Sequence, residues 1–230
     1  MPRSFFEFGS YDQNDCNFLT QVHDKDGGGP GVRFSFLSAF CTSCGNFDSD
    51  AVFEKGFEYT LTRIRVRKGR NILRTDDGFL CVSPEVLKAL SSANVKGFES
   101  KPLYTGMYWH VLRITRRRKF DPKVYQEGGK RCLGCGRPEY ISGGVRAENE
   151  IDLPDEDLTF FSPDKQFNNH GYQVFLTEDV ARILQRAEVK GGELERLWTA
   201  EELQRLKDDP KWRRKDACVS LGQHRYGPTE

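Results

Sequence analysis

The sequence contains seven cysteines, and four of them form two short pairs with the same pattern. Each pair is a C-x-x-C-G knuckle, in which the two cysteines return to the same side of a tight turn and a glycine follows. The paired residues are Cys41, Cys44, Cys132 and Cys135. Four thiolates are the ligand set of a tetrahedral structural Zn²⁺, so the two knuckles together predict one such site.

The spacing of the knuckles is unusual for a zinc protein. Residues 45–131 lie between them, whereas common fingers and ribbons place about 12 to 20 residues between their pairs. Either the knuckles meet across a whole domain, or each is a half-site. A shared site is favoured, because a lone dithiolate binds structural zinc poorly. In addition, no histidine lies at ligand spacing from a knuckle; the histidines are His23, His110, His170 and His224.

Composition describes a folded chain without a dominant charge. Of its 230 residues 37% are hydrophobic and 30% charged, and the formal net charge is +1. This balance excludes a global basic field for nucleic acid, so such a role would need a local patch. The odd number of cysteines, with neither a signal peptide nor a membrane-span pattern, predicts reduced thiols and a cytoplasmic protein without a membrane partner.

The spacing of apolar residues predicts the strands and helices that must position the cysteines. A short buried strand over 79–82 precedes a helix whose start is marked by Ser83 as N-cap and Pro84 at the first helical position, and whose end we place at Gly97. Apolar residues alternate over 57–66, and the alternation shifts by one residue within the segment, which predicts a strand with a β-bulge. Such strand-then-helix units predict an α+β fold.

The helix pattern occurs twice. Residues 83–97 align with residues 177–191 at a shift of 94, and six of the fifteen aligned positions are identical. Chance would give roughly one. The knuckles repeat at the similar shift of 91. The sequence therefore predicts a duplicated unit of knuckle, strands and one helix.

The duplication also affects the metal site. We expect one domain over 1–230, with repeats near 32–110 and 120–198 and a charged tail over 199–230. Two related halves around a pseudo-two-fold axis would bring equivalent knuckles together, and a zinc ion would then join the halves. A duplicated unit could equally keep its knuckles apart, and the sequence leaves that open.

Charged and glycine-rich segments are weaker signals. Two basic runs, Arg63 to Arg70 and Arg116 to Lys119, could contact phosphates, but charges that alternate with apolar residues usually form the wet face of a strand. The acidic run over 148–157 could bind a basic partner or be a solvated loop. The glycine-rich segment 24–31 lacks a following G-K-[ST], so it predicts a plain loop.

The knuckle pair, the Pro30-Gly31 lead-in and the strand–helix–V-K-G units resemble the double-CXXCG-motif family of myxobacterial proteins. The resemblance covers about residues 30–198. Members of that family are identified as Sit-type immunity proteins. The resemblance implies a cytoplasmic protein that binds the toxic domain of a cognate polymorphic toxin. Only the knuckle cysteines with Gly45 and Gly136 match the defining motif.

Two other functions compete with immunity. A zinc-ribbon-like nucleic-acid-binding protein would use the basic runs together with nearby aromatic rings. A thiol redox enzyme would need a knuckle cysteine beside a helix N-terminus, and neither knuckle precedes an obvious helix. The sequence contains no recognisable Ser-His-Asp or Cys-His constellation, carboxylate pair or phosphate loop, so we expect no enzyme.

Overall fold

The computed structural model describes residues 3–9, 38–57, 69–75, 78–104, 107–166, 171–212 and 218–221. Within these ranges the chain forms four α-helices: α1 (Ser49–Lys55), α2 (Pro84–Ser92), α3 (Glu178–Arg186) and α4 (Ala200–Asp208). Twelve strands accompany them: β1 (Phe5–Gly9), β2 (Ile72–Arg74), β3 (Leu80–Val82), β4 (Phe98–Tyr104), β5 (Met107–Ile114), β6 (Arg117–Arg118), β7 (Tyr125–Gly128), β8 (Tyr140–Gly143), β9 (Phe160–Pro163), β10 (Phe175–Thr177), β11 (Glu193–Arg196) and β12 (Cys218–Ser220). The predicted α+β class is confirmed.

The strands form three sheets. A four-stranded antiparallel sheet has the order β2-β3-β5-β4, and a mixed six-stranded sheet has the order β12-β11-β1-β10-β9-β6. The third sheet is the β7–β8 hairpin, which carries the second knuckle at its tip. No helix in the described part of the chain has the length and apolar composition that crossing a bilayer requires.

The two large sheets contain the same four-stranded pattern. The order β2-β3-β5-β4 corresponds to β9-β10-β1-β11, and helices α2 and α3 follow the equivalent strands β3 and β10. The registers also agree at the shift of 94 residues. The equivalent triplets of facing residues are Cys81–Val111–Lys101 and Phe175–Glu7–Glu195. This is the relationship expected of a duplicated unit.

Strands β1 and β5 occupy equivalent positions, and each lies on the N-terminal side of a knuckle and pairs in the sheet of the other half. Strand β1 precedes the first knuckle and lies between β10 and β11, whereas β5 precedes the second knuckle and lies between β3 and β4. The expected repeat boundary at residue 110 therefore falls inside a strand. Since each half contains a strand supplied by the other, the halves are interlocked by main-chain hydrogen bonds.

Helices α2 and α3 pack against each other and contribute to one shared core. Val86 and Leu90 of α2, and Val180 and Leu184 of α3, are fully buried there. The core joins both halves, because it also takes in residues of both large sheets. Two smaller cores lie on the far faces of the sheets. The first includes Phe47, Phe53, Phe57, Phe79 and Val111, and the second includes Phe5, Tyr125, Val145, Phe161, Phe175 and Leu197.

Helix α2 begins where the sequence predicts and ends earlier. Its N-cap is Ser83 and Pro84 is its first residue, but the last residue is Ser92. Asn94 takes a positive φ of 55° and turns the chain there. Gly97, with φ 83°, is needed for a close approach, because a Cβ would lie 2.0 Å from the Phe160 carbonyl oxygen.

Two predicted segments lie outside the residues that the structure describes, and the predicted tail contains a helix and a strand. The glycine-rich segment 24–31, with the Pro30-Gly31 lead-in, lies outside the described residues. So does the predicted bulged strand after Phe57, together with most of the first basic run. In the tail, α4 begins at a capping box in which the amide of Glu202 donates to Thr199 Oγ1 at 3.2 Å and the amide of Thr199 donates to Glu202 Oε2 at 2.9 Å. Beyond α4, β12 completes the six-stranded sheet.

Candidate metal centre

The two knuckles are flanked by different secondary structure. The first connects the bridged residues Phe40 and Phe47, just before α1 begins. Helix α1 has Asp48 as its N-cap, whose carboxylate accepts from the amides of Asp50 and Ala51. The second knuckle closes the β7–β8 hairpin, where Gly128 and Tyr140 form the last pair of the ladder.

The knuckles meet. The Sγ atoms of Cys41 and Cys132 lie 3.6 Å apart, and those of Cys44 and Cys135 also lie 3.6 Å apart. All four sulfur atoms lie within 4.8 Å of one another. Tetrahedral coordination with Zn–S bonds of about 2.3 Å requires sulfur separations of roughly 3.8 Å, so the four cysteines are close enough to bind one metal ion. The prediction that the knuckles converge is confirmed.

The backbone around the two knuckles is closely similar. In each, the amide of the following glycine donates to the carbonyl oxygen of the first cysteine at 2.8 Å, from Gly45 to Cys41 and from Gly136 to Cys132. Both glycines have φ 71°, a left-handed conformation that favours glycine over other residues. The two knuckles therefore present their sulfur atoms with matched geometry.

Gly134 permits the close approach of the two knuckles. A Cβ at this position would lie 2.7 Å from Ser43 Oγ and 3.1 Å from Cys41 Sγ, so the Ser43 hydroxyl would have to turn away and the Cys41 sulfur would have to shift. Its amide also donates to Cys132 Sγ at 3.3 Å. The sequence does not reveal this role, because the contact joins residues from opposite knuckles.

Two side chains from the second half hold the segment that leaves the first knuckle. Arg137 donates to the carbonyl oxygen of Phe47 at 2.6 Å, and Gln166 Nε2 donates to the same oxygen at 3.0 Å. Gln166 Oε1 also accepts from the amide and the hydroxyl of Ser49, both at 3.1 Å. These bonds fix the position of α1 relative to the second half.

The thiols differ in their acidity. Amides of Cys44 and Ser43 donate to the Cys41 sulfur and lower its pKa to about 6. For Cys132, the amides of Cys135 and Gly134 lower the pKa in the same way. At Cys44 the Asn46 amide acts in that direction, but burial and the three neighbouring sulfur atoms outweigh it and raise the pKa to about 12. Adjacent thiolates repel, so the cluster needs a cation to carry its full negative charge.

Other candidate ligands stay outside the cluster. Cys81 is fully buried in β3, and His110 lies in β5. Cys16 and the other three histidines lie outside the described residues. Within those residues, the four knuckle cysteines are the one group of possible metal ligands found together.

The second basic run is largely neutralised. Arg116 and Arg118 both pair with Glu156, and Arg117 binds Asp50 at 2.9 Å while its guanidinium lies 3.5 Å from the centre of the Tyr172 ring. These arginines join α1 and β6 to the second half of the protein. They also give the acidic run a structural role, because Glu156 belongs to it.

A scan against protein-family models finds no match to the chain, and neither does a search of curated proteins.

Proposed function

We propose that the protein is an immunity protein that binds and neutralises a cognate polymorphic toxin, and that Cys41, Cys44, Cys132 and Cys135 hold a structural Zn²⁺ that joins its two halves. The observation that carries the metal proposal is the convergence of four sulfur atoms within 4.8 Å. Four thiolates in tetrahedral geometry favour zinc or iron among common metals, and they leave no open coordination position for substrate. A structural role is therefore favoured over catalysis.

The immunity proposal is supported by the resemblance of the knuckle pair to the double-CXXCG family. Two exposed apolar side chains are available for such binding. In the described part of the chain, the exposed large hydrophobic residues are Leu133, at 104% relative exposure, and Tyr140. Both belong to the segment that bears the second knuckle. A few apolar or aromatic anchors carry most of the binding energy of an interface, and these two side chains are the anchors that the immunity proposal would use.

Nucleic-acid binding is the second candidate, and the side-chain contacts weigh against it. Arg116, Arg117 and Arg118 are occupied by carboxylates of the protein itself. Phosphate contacts would require breaking these pairs. The candidate predicts DNA or RNA binding that falls steeply with salt, and a flat titration at low salt would eliminate it.

Two measurements test the proposal separately. Metal analysis of protein purified without added metal should give one zinc per chain, and none in a variant with all four knuckle cysteines replaced by serine. Co-expression with the toxin encoded beside the gene should restore growth, while the serine variant should protect less. If the protein contains zinc but does not protect, the immunity proposal is wrong and the metal proposal is unaffected. If a metal-free protein protects fully, the proposal of a structural zinc is wrong.

A further inference from the structure

A cavity of about 380 Å³ opens on the far face of the six-stranded sheet. Its polar lining includes Glu7 of β1, Glu195 of β11, and Gln173, which precedes β10. The lining also includes Trp198 and two arginines, Arg146 and Arg196, and the guanidinium of Arg196 is paired with Glu202. Neither the metal site nor the proposed toxin binding uses these residues.

Comparison of the two halves shows that the same place is filled with apolar side chains in the first half. By register, Glu7 corresponds to Val111 and Glu195 to Lys101. The shift of 94 residues that relates β10 to β3 also puts Gln173 at the position of Phe79. Val111 and Phe79 are buried in an aromatic core. The second half therefore has polar groups where its counterpart has a packed core.

The segment that packs over this face of the sheet also differs between the two halves. At the knuckle shift of 91 residues, Val52 and Phe53 of α1 correspond to Gly143 and Gly144. Val52 and Phe53 are buried in the first-half core, whereas the two glycines have no side chain to fill the equivalent space. A Cβ at Gly144 would lie 2.9 Å from the Gln173 side-chain amide. The glycines thus leave room for the cavity and for Gln173.

Gln173 is held in one orientation. Its Oε1 accepts from the Val145 amide and the Tyr125 hydroxyl, both at 2.9 Å. Its Nε2 donates to the Val145 carbonyl oxygen at 3.3 Å and to Glu7 Oε1 at 3.2 Å. The Glu7 carboxyl is therefore fixed at the cavity wall by a side chain that has no freedom to turn.

The two carboxyl groups face each other across the ladder, since Glu7 and Glu195 are directly opposite in register. Like charges in this arrangement destabilise a sheet. The side chain of Glu195 makes no hydrogen bond or ion pair with any residue that the structure describes, whereas its main chain pairs with Glu7 and Cys218 in the sheet. Burial raises the pKa of Glu7, and nearby Arg74 and Arg146 offset this only in part. A bound cation would relieve the repulsion at the pair.

We propose that this cavity binds an organic cation, an ammonium or guanidinium group, between the carboxylates of Glu7 and Glu195. The group comes either from a small molecule or from a lysine or arginine side chain of a partner protein. Two carboxylates provide the acceptors for the several N–H donors of such a group. This site is independent of the zinc and of the immunity proposal.

Calorimetric titration of the purified full-length protein tests the proposal with two probes. Agmatine represents the free small molecule, and an acetylated and amidated Gly-Arg-Gly peptide represents the side chain. We expect saturable one-to-one binding of at least one probe. Tighter binding of agmatine identifies a small molecule as the source, and equal or tighter binding of the peptide identifies a protein side chain.

Three variants make the test specific. Glu195→Gln should weaken binding at least tenfold, and Glu7→Val, which introduces the residue of the first half, should abolish it. Glu188→Gln, an exposed glutamate elsewhere, should bind as the wild type does. If Glu7→Val fails to fold, the Glu195→Gln comparison decides alone. Absence of saturable binding of both probes to the wild type, or equal affinity of Glu195→Gln and wild type, would overturn the proposal.

Discussion

The Sγ atoms of Cys41 and Cys132 lie 3.6 Å apart although the two residues are 91 positions apart in the chain. A metal ion bound at this point would close the loop from Cys41 to Cys132, which contains α1, α2 and the strands β2 to β7. Closing so long a loop restricts the unfolded chain, which is the reason a metal at this point would contribute to folding stability. The interlocked strands β1 and β5 join the halves at a second place.

Replacing one knuckle cysteine should remove the metal and much of the stability. For Cys135→Ser we expect the free energy of unfolding to fall by roughly 2 to 5 kcal/mol, the cost of losing an equivalent structural cross-link. Urea denaturation measures this, and a chelator should produce the same loss in the wild type. Thr42→Ser, a change between the cysteines of the first knuckle, serves as control. A variant as stable as the wild type would show that the thiols are bystanders.

The close approach at Gly134 makes a separate prediction. Gly134→Ala introduces a Cβ 2.7 Å from Ser43 Oγ, so zinc affinity should fall by about 10- to 100-fold, as for changes in groups that support metal ligands. Removing the obstacle with Ser43→Gly should restore part of the affinity, because the contact with Cys41 Sγ remains. Competition with a chromogenic chelator gives the affinities.

The control for this pair is Gly9→Ala, since an added Cβ at Gly9 meets no atom within 4 Å. It should bind zinc as the wild type does. If Gly134→Ala binds zinc normally, or if Ser43→Gly gives no recovery in the double variant, the knuckles are not held as tightly together as the distances imply.

Local features were predictable from the sequence and non-local ones were not. The start of α2 at Pro84 and the Thr199–Glu202 capping box follow from short-range rules. The convergence of the knuckles was predicted only as one of two arrangements. The placement of β1 in the second half's sheet carries no sequence signal, because strand pairing depends on partners far along the chain.

The cavity around Glu7 was missed for the same physical reason. Glu7 and Glu195 are separated by most of the sequence, so no motif identifies them as a pair. The alignment of the repeats could have revealed Gln173 in place of Phe79, a polar residue where the first unit has a core residue. This replacement of a core residue by a polar one is the sequence feature that could have indicated the cavity.

Stability should depend on pH through Glu7. Burial raises the pKa of its carboxyl above the ordinary 4.5 despite the hydrogen bond from Gln173, so the folded protein holds the proton more tightly than the unfolded chain. The free energy of unfolding therefore decreases as pH rises through the window above 4.5. Glu7→Gln cannot ionise and lacks this decrease.

The measurement is the difference in free energy of unfolding between Glu7→Gln and wild type at several pH values. We expect the difference to increase from pH 4.5 upward and to level off above the folded-state pKa. The knuckle cysteines contribute equally to both proteins and cancel. A difference that decreases for Glu7→Gln as pH rises would contradict the raised pKa.

The exposed Leu133 distinguishes a partner-binding residue from a structural one. Its side chain lies at the tip of the second knuckle and is 104% exposed, so Leu133→Ser removes no packing and should change the free energy of unfolding by less than about 0.5 kcal/mol. If the knuckle tip contacts the toxin, loss of this apolar anchor should weaken binding by about tenfold or more. Zinc content should stay at one per chain.

Growth protection during toxin co-expression, combined with denaturation of the purified variant, separates these effects. Lys88→Ser, a change on the exposed side of α2, provides a control remote from the knuckle in sequence. Reduced protection by Leu133→Ser at unchanged stability would place the toxin at the metal-bearing hairpin. Full protection would exclude Leu133 as an anchor. If Leu133→Ser loses both stability and protection, Leu133 contributes to the folding of the knuckle and not to toxin binding.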